Sequence, residues 1–92
     1  MDGGRTVLVR IEGRVQGVGF RYWTRREAEA LGLSGWVRNE EDGAVAALLC
    51  GAPEAVETML ARLRRGPRGA TVAGVSAQES DAPAPQGFRI AG

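Results

Sequence analysis

Segments alternating in the order strand, helix, strand, strand, helix, strand predict an α+β sandwich, with two helices covering one face of an antiparallel sheet. Three observations lead there. Period-2 apolar alternation marks the first strand, from Val7 to Ile11. Two stretches of 3.6-residue periodicity each end at a glycine, Gly32 and Gly66. The chain has 92 residues, 43% of them apolar and 25% charged. That length supports one modest core, burying somewhat over about 60% of the unfolded surface. One domain over 1–92 follows, with Met1 to Arg5 read as a loose tail.

The first strand is expected over Thr6 to Glu12, with Val7, Val9 and Ile11 on one face. A helix from Arg21 to Leu31 would bring Phe20, Thr24, Ala28 and Leu31 onto one side, flanked by Trp23. Gly32 followed by Leu33 suits a glycine cap with its hydrophobic contact. Ser34 to Asn39 reads as a second strand, and Glu40-Glu41-Asp42-Gly43 as a hairpin connection. The third strand, Ala44 to Cys50, is apolar on both faces, which suits a central, covered position. Pro53 sits just inside a second helix whose core face is Val56, Met59, Leu60 and Leu63. Arg62, Arg64 and Arg65 crowd its C-terminal end, where the helix dipole favours cations. Thr71 to Gln78 is a fourth strand, with Val72 and Val75 inward and a bulge suggested by Gly74. After a loop, Phe88-Arg89-Ile90 pins the C-terminus as a short last strand. The order βαββαβ plus that strand is the ferredoxin-like pattern.

Composition removes several classes of function. Twelve basic and eleven acidic residues give a net charge of +1, with no overall bias toward nucleic acid or anionic membrane. No histidine is present, which excludes Ser-His-Asp and Cys-His relays and histidine zinc sites. The single Cys50 permits neither an internal disulfide nor a cysteine-rich metal site, and reads as a small apolar filler. No apolar run approaches membrane-spanning length and the N-terminus lacks a signal peptide's apolar segment, so a cytoplasmic protein is expected. A nucleic-acid-binding sheet would stack bases on aromatic residues of its central strands, and strands one and three carry none.

The chemistry concentrates in the connection from Glu12 to Arg21, which holds Gly13, Gly17 and Gly19 and no acid after Glu12. Such a connection is most often a plain tight turn, and its spacing matches neither the P-loop nor the dinucleotide fingerprint. Glycines let consecutive peptide N–H groups turn inward into a concave anion site, to which the following helix adds its own unpaired N–H groups. Arg21 stands at the wrong end of the helix dipole, a mild penalty that a bound anion would reverse. In a ferredoxin-like sheet, strands one and two run parallel on either side of the third, so their C-terminal ends open on one edge. The loop and Asn39 should therefore meet there, about 10 Å apart, a gap that suits a phosphoryl group beside a held water. A strand-end asparagine making only a local turn bond is the competing reading.

Gly13-Arg14-Val15-Gln16-Gly17-Val18-Gly19-Phe20-Arg21, then Leu31-Gly32-Leu33-Ser34-Gly35-Trp36-Val37-Arg38-Asn39 and Asp42-Gly43, closely resemble acylphosphatase, and the likeness runs to the terminal Phe88-Arg89-Ile90. The resemblance implies a ferredoxin-like fold and hydrolysis of carboxyl–phosphate anhydrides, releasing inorganic phosphate, without metal or cofactor. A monomer is expected because nothing beyond the apolar third strand suggests a larger assembly. It places the phosphate-binding arginine on Arg21, the water-orienting asparagine on Asn39 and the loop amides on Gln16, Gly17, Val18, Gly19 and Phe20, with Val15 at the head of the loop. Glu40 and Glu41 depart from the small or uncharged residues common at those positions, and would weaken the affinity for an anionic substrate. Two alternatives stay open: a non-catalytic anion-binding regulatory domain, and a module like the N-terminal domain of hydrogenase-maturation carbamoyltransferases.

Overall fold

The computed structural model describes residues 4–92, and Met1 to Gly3 of the expected tail lie outside the described residues. The elements are β1 (Arg5–Arg14), α1 (Phe20–Ala30), β2 (Ser34–Asn39), β3 (Val45–Gly51), α2 (Pro53–Arg65), β4 (Thr71–Glu79) and β5 (Phe88–Ile90). They form one five-stranded sheet in the order β4-β1-β3-β2-β5. Both β1 and β2 pair antiparallel with β3, so they run parallel to each other on either side of it. This is the ferredoxin-like arrangement the element order implied.

Two expectations need correction. Arg5 belongs to β1, not to a tail: it pairs with Gly51, and its guanidinium bonds Glu79 of β4 and Glu57 of α2. The sheet is mixed, not antiparallel throughout, because β5 lies parallel to β2. The reason is directional. β4 is antiparallel to β1, hence to β2, and the loop after it reverses the chain once while crossing to the far edge. Gly35 N–H to Gly87 O and Ala91 N–H to Val37 O pin the ends of that edge strand at 2.9 and 2.8 Å.

Val7, Val9 and Ile11 of β1, Val37 of β2, and Val45, Ala47 and Leu49 of β3 bury one sheet face against Phe20 and Ala28 of α1 and Val56, Met59, Leu60 and Leu63 of α2. Each large side chain so buried stabilises the fold by about 1.5–3 kcal/mol relative to exposure. The other face of β3 is covered by its neighbours. Ala46 lies between Arg10 and Arg38, and Leu48 between Leu8 and Trp36, so small central residues sit beneath longer flanking ones. Cys50, at 3% exposure, fills the last place in that row. Gly32 caps α1 at φ 72°, with Leu33 N–H bonded to Ala28 O at 2.9 Å.

β1 continues past Glu12 through a register shift against β4: Glu12 faces Gly74, while Gly13 faces Val72. The extra residue is thus Ala73, beside the glycine that signalled a bulge. Gly13 serves this close approach, not the loop, since a Cβ there would stand 2.2 Å from Thr71 O.

Gly35 is constrained most severely. Its φ is 145°, and a Cβ would stand 1.8 Å from Leu48 O and 3.1 Å from the Phe88 ring. Gly35→Ala should therefore lower the unfolding free energy by about 3 kcal/mol or more, measured by denaturant titration. A loss within experimental error would contradict the close β2–β3 approach.

Candidate active site

The site begins where β1 ends. Val15 anchors the loop, its side chain 1% exposed in the core, and Val18 packs partly against the same core. Between these anchors the backbone turns on Gly17 at φ 77° and Gly19 at φ 76°, left-handed conformations that other residues adopt with strain. Nothing lies within 4 Å of a Cβ built on either glycine, so the rim of the loop is open.

The amides of Val15, Gln16, Gly17, Val18, Gly19 and Phe20 donate to no acceptor among the described residues. The first-turn amides of α1 share this state, because the intrahelical ladder starts with Trp23 N–H to Gly19 O at 3.0 Å. Local sequence explains it. Gly19 at the N-cap has no side-chain oxygen to offer, and the first turn contains no acid. Arg21 stands in that turn, partly exposed, and its guanidinium makes no ion pair among the described residues.

Register places Asn39 relative to this loop. Asn39 pairs with Val45, and Val45 with Ile11, so the three form one row across the sheet. Ile11 and Val45 point into the helix-side core. Asn39, in the same row and two residues after the buried Val37, therefore projects on the helix side as well, at the edge from which the loop rises. Its carboxamide makes no hydrogen bond among the described residues. The local turn bond is made instead by Asp42, whose Oδ1 accepts the Ala44 N–H at 3.1 Å.

The acids near Asn39 are largely neutralised. Glu40 is paired with Arg38 at 2.8 Å, and Asp42 with Arg10. Arg38 also stacks over the Trp36 ring at 4.6 Å on the open sheet face, which draws the Glu40 carboxylate away from the helix side. Arg10 in turn holds the Asp42 carboxyl below the usual carboxylate range, with help from the Ala44 N–H. Glu41 is exposed. An open depression of about 430 Å³ on the hairpin is lined by Arg38, Asn39, Glu40, Glu41 and Asp42. Three carboxylates and one arginine line that depression, so it suits a dianion less well than the loop, which carries no acid.

Two contacts were not legible in the sequence. The Gln16 side chain donates from Nε2 to Glu40 O at 2.9 Å and to Ala44 O at 2.8 Å, joining the loop to the β2–β3 hairpin. Arg62, read as a helix-end cation, bonds Glu27 of α1 at 3.0 Å and ties the two helices together. Both link residues far apart in sequence, so spacing carries no signal for either.

Comparison with known proteins bears on this geometry. The family model described as acylphosphatase matches residues 7–90. An acylphosphatase of Rhizobium meliloti is 62% identical over 94% of this chain and 92% of its own length. One of Rhizobium etli is 56% identical over 99% of this chain and 98% of its own. The solved structure of an acylphosphatase from Coxiella burnetii superposes with a TM-score of 0.93 at 34% identity, over 97% of this chain and 94% of that one.

The Asp42 carboxyl is lowered in the folded state, so its contribution to stability is present above the unfolded value of about 3.9 and is lost as pH falls through the folded value. Thermal unfolding of the native chain and of Asp42→Ala should therefore differ at neutral pH and converge on acidification below about pH 4. A gap that stays constant down to about pH 2 would mean that the Arg10 pair does not act in solution.

Proposed function

The chain belongs to the acylphosphatase family, enzymes that split the carboxyl–phosphate bond of acyl phosphates, and from that premise we propose how its residues perform the hydrolysis. The backbone amides of Val15 to Phe20 and the Arg21 guanidinium hold the phosphoryl group, and Asn39 presents the attacking water. The observation that carries this reading is the unbroken run of N–H groups at the β1–α1 turn that find no acceptor among the described residues, on the sheet edge toward which Asn39 projects.

An acyl phosphate is a mixed anhydride whose carboxylate leaves readily. No nucleophilic side chain and no strong base is required, in keeping with a chain that has no histidine. Charge on the equatorial phosphoryl oxygens is met by donors already aimed at the place where it develops, so little reorganisation accompanies the reaction. Arg21 fits because its planar fork gives two parallel bonds to phosphate oxygens, which an ammonium cannot. The anion also relieves the unfavourable position of that cation at a helix N-terminus.

Asn39 does not abstract a proton at neutral pH. Its carbonyl oxygen and NH₂ hold a water in line with phosphorus, a contribution of positioning. The proton passes to the substrate's own phosphate or to the departing carboxylate, and the products are carboxylate and inorganic phosphate. All these groups come from one chain, which supports a monomer as the working unit, with residues 1–92 acting as one catalytic domain. Acyl phosphates are short-lived in water and are met close to the reactions that form them, so the reading assigns the enzyme to the cytoplasm.

Release of phosphate from benzoyl phosphate should persist in excess EDTA; abolition by the chelator would refute the metal-free mechanism. Arg21→Ala should weaken inhibition by inorganic phosphate by roughly 2–5 kcal/mol while leaving the circular dichroism spectrum unchanged. Near-normal turnover by that variant would remove Arg21 from the site. Asn39→Ala should lower kcat by about 100-fold or more, with inorganic phosphate still competing. Loss of phosphate inhibition at an unchanged kcat would reverse the two roles.

A further inference from the structure

We propose that the Gln16 side chain is a positioning residue for the hydrolysis, holding the hairpin that carries Asn39 in register with the phosphate loop. The inference rests on the roles given above to the loop amides, Arg21 and Asn39.

Gln16 belongs to the loop by its backbone and to the hairpin by its side chain. Both hydrogens of Nε2 are used, one toward Glu40 O and one toward Ala44 O. Two carbonyl acceptors at 2.9 and 2.8 Å also fix which end of the carboxamide is nitrogen. Glu40 directly follows Asn39, and Glu40 and Ala44 are the residues that close the turn.

These bonds are not needed to satisfy the hairpin. Ala44 O already accepts the Glu40 N–H at 2.8 Å, and Glu40 O the Gly43 N–H at 3.2 Å. Without Gln16, neither carbonyl is orphaned, so the turn remains closed. What disappears is the bridge between two segments that no other hydrogen bond joins among the described residues. The loop needs that bridge, because Gly17 and Gly19 face open space and have no side chain of their own to restrain them.

The division of labour across the bridge sets the expected kinetics. Phosphate is gripped by groups on the loop-and-helix side alone. Attack also requires the water from the hairpin side to stand in line with phosphorus. Slack between the two sides therefore lowers turnover more than it lowers phosphate affinity.

Gln16→Met keeps the backbone N–H, the chain length and the apolar stem, and removes both donors. Its kcat should fall about 10- to 100-fold, while inhibition by inorganic phosphate changes by no more than about threefold. Because the side chain acts through Asn39, adding Gln16→Met to Asn39→Ala should cause little further loss. Losses that multiply in the double variant, or an unchanged kcat in the single one, would overturn the proposal. An unchanged kcat in Asn39→Ala alone would overturn the water-positioning reading itself, a separate result from the same set of variants. Gln16→Glu supplies an independent measurement. Its ionised carboxylate faces two carbonyls with no proton to give, whereas its protonated form donates one bond. Its kcat relative to the native enzyme should therefore rise as pH falls through the new carboxyl's pKa; a ratio flat with pH would also overturn the proposal.

Discussion

A row of peptide N–H groups with no acceptor among the described residues, at the turn from β1 into α1, is the constraint on which the candidate site depends. Backbone donors in folded proteins are nearly always paired, and a helix N-terminus is ordinarily capped by a side-chain oxygen. Here glycine occupies the cap and the first turn carries an arginine in place of an acid. Both choices weaken α1 as an isolated helix. Both suit the phosphate cradle proposed above, since one phosphoryl group would supply acceptors and negative charge together.

The rest of the fold gives that turn its rigidity. Val15 and Phe20, both in the core, fix the two ends of the loop, and Val18 packs partly against that core, which leaves Gly17 and Gly19 facing open space. Parallel placement of β1 and β2 around β3 brings the end of β2 to the same edge. The mixed edge made by β5 then holds β2 from its outer side, through Gly87 O and the Ala91 N–H. Asn39 is thereby the last residue of a strand held on both flanks, a firmer platform for the water-positioning role proposed for it than a free loop would be.

Charge around the site is sorted by the two faces of the sheet. Arg10 and Arg38 occupy the open face, where they pair with Asp42 and with Glu40. The guanidiniums thus pull hairpin carboxylates toward the face opposite the helices. Read along the chain, Glu40 and Glu41 looked adverse to an anionic substrate; in the fold, the first of them is bound to an arginine two residues away. Adjacency in sequence says little about which side of a strand a charge serves, because successive residues point to opposite faces.

Much of this was readable from the chain. Apolar patterning together with glycine and proline breaks located all seven elements to within two residues at nearly every end, because strands and helices repeat their apolar residues with a fixed geometry and turns require particular residues. The glycine-rich turn and Arg21 were also legible, since local backbone demands are written in local residues. Pairing partners were not. The direction of β5, the Arg5 contacts with Glu57 and Glu79, the use of Gly13 for close strand approach, and the Gln16 bridge to Glu40 and Ala44 all join residues distant in sequence. A polar side chain's sequence neighbours do not reveal its partner, because that partner is chosen only when packing has brought separate elements within about 3 Å of each other.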